Sequence, residues 1–272
     1  MKHVSRTSQW TAAARALESE RDDPLFVDPL ARTLAEPEGF DLLRRYGGGG
    51  LQEFVAIRTK YLDDLIEARL IVEPASQVVL IAAGMDTRPY RLQSVVDSTR
   101  WFEVDYPALQ GEKAQRIGEL GVNPRTEIRY VGTDLASDWI PDLVSAGWDA
   151  SAPTVWIPEA LLFFLTPDQA FGLLSTLRRH SAPNSVLGVD ILSQTLLTSP
   201  ATRLFLSLLE RDDIAWKFGT DSPEDFVAST GWTNLIVQEP GESGVGEQRW
   251  PYQVQPRSLE GVSRNWLVKA AA

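Results

Sequence analysis

The chain has no cysteine, which excludes disulfides, thiolate nucleophiles and cysteine-type zinc sites together. A reducing cytosol is compatible with that composition. Only His3 and His180 supply imidazoles, too few for a multi-histidine metal site, so no metal is expected. Long apolar runs are absent too: the longest, VVLIAAGM at 78–85, falls far short of the ~20 residues that span a bilayer. Lys2, His3 and Arg6 have no apolar segment behind them of the kind a secretory signal requires. The expectation is a cytoplasmic protein with no membrane partner. Positive charge is also scarce, with 26 Lys and Arg against 37 Asp and Glu and a formal charge of −11. Such a chain repels a phosphate backbone, and the pairs Arg44–Arg45 and Arg178–Arg179 are too short to form a basic patch. No nucleic-acid partner is expected.

What is present is a chain of 272 residues, 43% apolar, long enough to bury a substantial core. Residues 8–20 and 27–46 read as two short helices punctuated by Pro24, Pro29 and Pro37, and a four-glycine run follows at Gly47–Gly50. In 54–70, Phe54, Ile57, Tyr61, Leu62, Leu65, Ile66 and Leu70 recur at helical spacing. From residue 75 the pattern changes to short, continuously apolar, β-branched runs, the signature of buried parallel strands. SQVVLIAAG is the first, TRWFEVDYP the second, TEIRYVGTDL (126–135) the third, TVWI from 154 the fourth and SVLGVDIL (185–192) the fifth. Helical patterns separate them at 88–96, 107–120 and 167–181, the last opened by Thr166 and Pro167. Two further strands are expected at 234–240 and 265–271. The helical stretch 195–219 is an insertion in this rhythm. The result is an α/β fold with a doubly wound, mostly parallel sheet. We divide it into a helical N-terminal cap (1–72), a sheet core (75–193), a helical lid insertion (194–220) and a C-terminal helix and strands (221–272), all in one domain.

In such a sheet ligands lie outside the carboxyl ends of the strands. Those ends read Ala82-Ala83-Gly84-Met85-Asp86, Glu103-Val104-Asp105, Thr133-Asp134-Leu135 and Glu159, so each of four successive strands ends in a carboxylate. Gly84 and Asp105 are 21 residues apart, near the ~20 that separate a glycine turn from a ribose-binding acid. Glu103 and Asp105 share a strand face, and Asp105 is nearer the end, so it is preferred for the ribose. The turn lacks G-x-G-x-x-G, and Asp86 stands where it would repel a pyrophosphate. An adenosine compound without phosphate and with a cationic centre suits these acids better. S-adenosylmethionine has that profile and NAD does not.

The strings VVLIAAGMDTRPYRL, WFEVDYP, GTDL and PEALLFFLTP, in this order, resemble the leucine carboxyl methyltransferase family. The likeness is strongest to its bacterial branch of S-adenosylmethionine-dependent O-methyltransferases, which includes polyketide carboxyl methyltransferases. SRTSQWTAAARALESERDDPLFVDPLAR resembles that branch's opening segment, and the match runs from about residue 5 to 192. The resemblance implies a Rossmann-like class I methyltransferase fold and S-adenosyl-L-methionine as cofactor. It further implies that Arg58 holds the methionyl carboxylate, that Ala82 and Gly84 form the turn beneath the methionyl part, and that Asp105 binds the ribose. Asp134 and Leu135 would flank the adenine, and Glu159 would accept from the cofactor's amino group. Read without the resemblance, Arg58 shares its helix with Asp63, Asp64 and Glu67, and a solvated salt bridge is the plainer assignment. Where the family usually has glycine this chain has Ala82, a substitution that is tolerated if φ there is negative.

The implied reaction is an in-line displacement in which the protein aligns an acceptor oxygen with the methyl and excludes water. A carboxylate is already ionised and needs no base, whereas a hydroxyl usually does. His180 is better placed to complement a helix C-terminus than to act as a base, so the expected acceptor is a small-molecule carboxylate, with a hydroxyl next. Arg203, Arg211, Lys217 and Arg249 are the cations available to hold such an acid. A protein C-terminal carboxylate, a nucleotide-dependent oxidoreductase and a non-catalytic cofactor-binding protein are the alternatives. Nothing in the sequence sets an oligomeric state or names a catalytic residue.

Overall fold

A strand buried on both faces needs two cores, and the alternation along the first strand separates them. The computed structural model describes residues 2–74 and 76–272, with side chains from residue 7 onward. The first apolar run forms β1 (Gln77–Ile81), buried throughout. Val78 and Leu80 face Trp101, Val155 and the apolar side of α3 (Leu51–Val72), where Ile57, Leu62, Ile66 and Leu70 are buried. Val79 and Ile81 face the opposite way, toward Phe102, Trp156 and Leu174 of α7 (Pro167–Arg179). Each face thus removes a continuous apolar surface from water, the dominant favourable term in folding.

Seven strands form one sheet in the order β3-β2-β1-β4-β5-β7-β6. β2 (Arg100–Asp105), β3 (Ile128–Gly132), β4 (Thr154–Ile157) and β5 (Val186–Leu192) run parallel to β1 and to one another. β7 (Asn265–Ala271) is antiparallel to β5 and to the edge strand β6 (Thr233–Gln238). The winding reverses between β1 and β4, which opens a crevice at their carboxyl ends. Pro158, with no N–H to continue a ladder, follows β4 directly. Thr166 caps α7 as its sequence suggests: its hydroxyl accepts from Gln169 N and the Gln169 side chain accepts from Thr166 N.

The cap consists of α1 (Lys2–Ser19) and α2 (Ala31–Tyr46), with α2 broken at Glu36 ahead of Pro37. Ala12, Ala13 and Ala14 on α1 are fully buried, and Gly39 of α2 lies so close to the Gln9 carbonyl that a Cβ there would come within 2.4 Å of it. The insertion forms α8 (Gln194–Thr198) and α9 (Arg203–Arg211), separated at Pro200. Leu209 of α9 is buried with Trp10, Leu34 and Leu43 of the cap, and the Tyr46 hydroxyl and Arg45 both bond to Asp212. The insertion is therefore fastened to the cap.

Several boundaries differ from the sequence reading. The patch at 88–96 contains only one turn, α4 (Arg88–Arg91), because both end residues reach back to Asp63 and the chain then becomes extended. A short helix not anticipated, α6 (Ile140–Ser145), carries Ile140 and Leu143 into the core beside Trp139. α5 (Pro107–Glu119) and α10 (Pro223–Ser229) complete the helices. The strand expected from residue 75 begins at Gln77, and Ala75 lies outside the described residues, as does the side chain of His3. No helix among the described residues is long and apolar enough to cross a membrane.

Glu103 of β2 is wholly enclosed, and both of its oxygens take hydrogen bonds from Lys113 Nζ on α5 at 2.7–2.8 Å. Breaking a buried pair on one side leaves an uncompensated charge. Lys113→Met is expected to lower the unfolding free energy by about 3–5 kcal/mol. The double variant Lys113→Met/Glu103→Leu should recover most of that loss in a denaturant titration.

Candidate functional site

A cleft of about 680 Å³ opens outside the carboxyl ends of β1, β2 and β4. Arg58, Ala82, Gly84, Asp105, Asp134, Leu135 and Glu159, all seven residues singled out from the sequence, line it. The parallel register sets Ile81 beside Val104 and Leu80 beside Ile157, so the segments that follow these strands emerge together.

The turn after β1 is left-handed at two positions. Gly84 has φ +52, and a Cβ there would lie 2.9 Å from Ser8 Cβ. Ala82 has φ +56, so the condition under which its methyl is easily tolerated does not hold. A left-handed alanine costs about 1–2 kcal/mol, and here the backbone is held in place by Ala82 N donating to Val104 O at 2.8 Å. Ala160, after β4, is likewise left-handed at φ +54, with its N–H donating to Asp190 Oδ1 at 2.7 Å. Backbone strain of this kind persists only where the surroundings over-determine it, and it clusters at ligand sites.

Asp105 closes the turn. Oδ2 accepts from Gly84 N and Oδ1 from Tyr106 N, each at 2.7 Å. Burial pushes its carboxyl up, against the pull of those two N–H groups. Each oxygen keeps lone-pair capacity for a vicinal diol. Glu103, its neighbour on the same strand, is consumed by Lys113 and does not reach the cleft. Asp134 stands exposed beyond β3, with Oδ1 accepting from Ala136 N at 3.0 Å. Leu135 packs partly onto the core beside it.

Arg58 is neither solvated nor paired with the acids of its own helix. It is 3% exposed, with Nε on Glu159 Oε1 at 2.9 Å and Nη1 on Asp190 Oδ2 at 3.0 Å. Asp63 instead holds Arg88 and Arg91. Glu159 takes a second ion pair from Arg88 Nη2 at 2.7 Å. Although burial opposes it, the charges of Arg88 and then Arg58 hold the Glu159 carboxyl down at about 2. Asp86 bonds Arg88 through both its backbone N–H and its guanidinium, so its charge is matched and its repulsion of a pyrophosphate is weaker than its position in the sequence suggests.

Arg88, Arg15 and Asp190 are participants that sequence reasoning missed. Arg15 and Arg88 line the cleft, whereas Asp190 lies beneath it, fully buried. Asp190 was detectable, because an acid inside the apolar run VLGVDIL demands a cationic partner. Of the cations proposed for the acceptor, only Lys217 lines the cleft. Arg249 is occupied elsewhere, 3.2 Å from Glu18 and 3.4 Å from Asp23, while Arg203 and Arg211 are exposed outside the cleft. His180 sits at the C-cap of α7, away from the site. No cluster of three potential metal ligands occurs among the described residues.

An open sheet that reverses between β1 and β4, with a strained acidic turn at the reversal, defines a Rossmann-like class I methyltransferase. Solved structures share the fold: a DUF574-family protein of Streptomyces avermitilis (TM-score 0.65, 15% identity, 96% of this chain and 97% of that one) and a protein assigned as a methyltransferase in Thermobifida fusca (TM-score 0.60, 20% identity, 96% and 93%). The chain belongs to the leucine carboxyl methyltransferase family, whose sequence profile matches residues 8–178. Relatives assigned as S-adenosyl-L-methionine-dependent methyltransferases include one from Mycolicibacterium smegmatis, 32% identical over 96% of this chain and 93% of its own length. Another, from Streptomyces coelicolor, is 35% identical over 79% and 82%. This chain is an S-adenosyl-L-methionine-dependent methyltransferase.

The depressed Glu159 carboxyl has a pH consequence. A folded value near 2 against an ordinary 4.5 stabilises the fold above about pH 4.5, and that contribution disappears as pH falls toward 2. Between those limits wild type should lose of the order of 3 kcal/mol more than Glu159→Gln. Denaturation midpoints of the two proteins, measured from pH 5 downward, check this.

Proposed function

We propose that the protein transfers a methyl group from S-adenosyl-L-methionine to an oxygen of a small-molecule acceptor, and that a carboxylate is the acceptor group. The observation that carries this reading is that no histidine is among the described residues lining the cleft and that its acids nearest the turns after β1 and β4 are already engaged. Asp86 and Glu159 are ion-paired, and Asp105 is bound by two backbone N–H groups. Burial, then the charges of Asp134 and Asp105, push the Tyr106 phenol up, so it stays protonated at neutral pH. Asp134 and Asp138 lie exposed past β3. A hydroxyl acceptor has no evident group to take its proton, and a carboxylate has no proton to give. The family's name, with its carboxyl acceptor, supports the same choice and also supports a protein C-terminal carboxylate as a second reading.

The donor set fits the cofactor. In this proposal Asp105 accepts from the two ribose hydroxyls, Asp134 and Leu135 flank the adenine, and Ala82 and Gly84 bring backbone under the methionyl part. Glu159 accepts from the ammonium group. Arg58, with Nε and Nη1 already committed, offers Nη2 to the methionyl carboxylate. The bound cofactor supplies the electrophilic methyl. The acceptor carboxylate forms the new O–CH3 bond with its own lone pair as the S–CH3 bond breaks, and that bonding pair stays on sulfur.

Two measurements test this. Asp105→Ala should raise the Kd for S-adenosyl-L-methionine roughly 100-fold in calorimetry, since two hydrogen bonds to a charged group are lost; an unchanged Kd moves the ribose elsewhere. With methyl-labelled cofactor and paired acids and alcohols, label should be released as methanol by alkali, as from an ester, with kcat/KM flat between about pH 6 and 9. Alkali-stable label, or a rate rising with pH, would identify a hydroxyl acceptor.

A further inference from the structure

The acceptor has to share the main cleft with the cofactor. A second cavity beside it, lined by Trp10, Phe163 and Trp216, has only about 30 Å³ of free space, room for about one water. The cleft itself, at about 680 Å³, has the size of a small-molecule site, but its background is unfavourable to an anion. The chain has a formal charge of −11, and Asp86, Asp105, Asp134, Asp138 and Glu159 all line the cleft.

Those acids are not spread evenly. Asp134 and Asp138, which form no ion pair among the described residues, lie exposed past β3 at one end. Asp86 and Glu159 are matched by Arg88 and Arg58. At the opposite end the 217–220 segment crosses the ends of β4 and β5, with Lys217 N donating to Phe163 O at 2.6 Å and Thr220 N to Leu192 O at 2.8 Å. β3 and β4 are three places apart in the sheet, roughly 14 Å at the usual strand spacing. The unpaired acids therefore lie beyond the ~8–10 Å over which exposed charges act in physiological salt.

Lys217 is the cation at that end. Arg15, Arg58, Arg88 and Lys217 are the cations lining the cleft. Arg15 is held by Asp28 and the Met85 carbonyl, and Arg88 by Asp63, Asp86 and Glu159. Arg58 is held by Glu159 and Asp190, and its Nη2 is assigned above to the cofactor. Lys217 has no ion pair, side-chain hydrogen bond or ring contact among the described residues, unlike Lys60 on Asp64, Lys113 on Glu103 and Lys269 over the Tyr61 ring. Asp221, close to it in sequence, is bonded by Thr195 instead. Phe164 and Leu165, which follow the carbonyl that anchors Lys217, supply apolar wall beside this one exposed charge.

We propose that Lys217 captures the acceptor, and that the acceptor is an apolar acid whose carboxylate lies at the β4–β5 end of the cleft. The proposal rests on the carboxylate reading above and adds to it the residue that selects the acid. The chemistry gives this ion pair a direction. The acceptor enters charged; as its lone pair forms the O–CH3 bond and the S–CH3 pair stays on sulfur, the charge vanishes and a neutral ester remains. Lys217 thus holds the substrate more tightly than the transition state or the product, so it lowers KM without raising kcat and then releases the ester.

The test uses the full chain, methyl-labelled S-adenosyl-L-methionine, and benzoate, phenylacetate and isovalerate as acids, with benzyl alcohol as the uncharged comparison. Cofactor affinity is measured separately by calorimetry. For the acid turned over best, Lys217→Met should raise KM roughly tenfold, leave kcat equal or higher and leave the cofactor Kd unchanged, while Lys217→Arg keeps KM near wild type. Added salt should raise the wild-type KM and leave that of Lys217→Met nearly flat, a response that a packing role does not give. An unchanged KM in Lys217→Met, the same salt response in both proteins, or a loss confined to kcat overturns the proposal, the last by making the lysine a proton acceptor. If cofactor binds but no acid is methylated, or benzyl alcohol is preferred, the carboxylate reading falls and the role of Lys217 with it. Failure to bind cofactor at all overturns the assignment of the cleft itself.

Discussion

A buried ladder of arginines and carboxylates joins the cap to the strand ends, and the geometry of the site depends on it. Arg15 bonds Asp28; Asp28 lies 3.9 Å from Arg91; Arg91 and Arg88 both hold Asp63; Arg88 reaches Asp86 and Glu159; Glu159 meets Arg58, which ends on Asp190. These groups are nearly all removed from solvent, so each charge needs its partners. Such a ladder adds little net stability over well-packed apolar residues, but it permits few alternative arrangements. It sets α1, α3, the turn after β1 and the turn after β4 in one relative position, which is what a cleft assembled from four separate segments requires.

The same ladder settles how charge is distributed in the cleft. The chain is strongly acidic, yet the acids at the strand ends are not a uniform negative field. Glu159 and Asp86 are neutralised by arginine, and Asp105 by backbone N–H groups. Asp134 faces solvent. Glu159 and Asp105 keep lone pairs free to accept further hydrogen bonds. Two left-handed alanines, Ala82 and Ala160, complete the arrangement by turning the backbone sharply after β1 and β4. Asp190 illustrates how economical the design is, since it anchors the Arg58 guanidinium with one oxygen and the strained Ala160 N–H with the other.

The cap and the insertion serve a different purpose from the sheet. They share an apolar core and the Asp212 contacts, and Trp10 of the cap and Trp216 just past α9 both line the small cavity beside the cleft. Their rings are held by neighbours, Trp10 by Tyr46 at 5.2 Å and Trp216 by Phe205 at 5.1 Å.

What the sequence by itself determined was whatever depends on short-range pattern. Continuously apolar β-branched runs identified the parallel strands, proline and threonine marked where helices begin, and acids directly after strands had to emerge at the ligand edge because strand ends are local features. That was enough to bring seven residues to one cleft. Only the tertiary structure decided what those residues bind within the protein. Arg58 has Asp63, Asp64 and Glu67 on its own helix but pairs with acids 101 and 132 residues away, since burial selects partners by space and charge and takes no account of sequence distance. The left-handed backbone at Ala82 is held by the hydrogen bond its N–H donates to Val104 O on the neighbouring strand. The small cavity lined by Trp10 and Trp216 exists only because two segments about 200 residues apart fold over the same edge of the sheet.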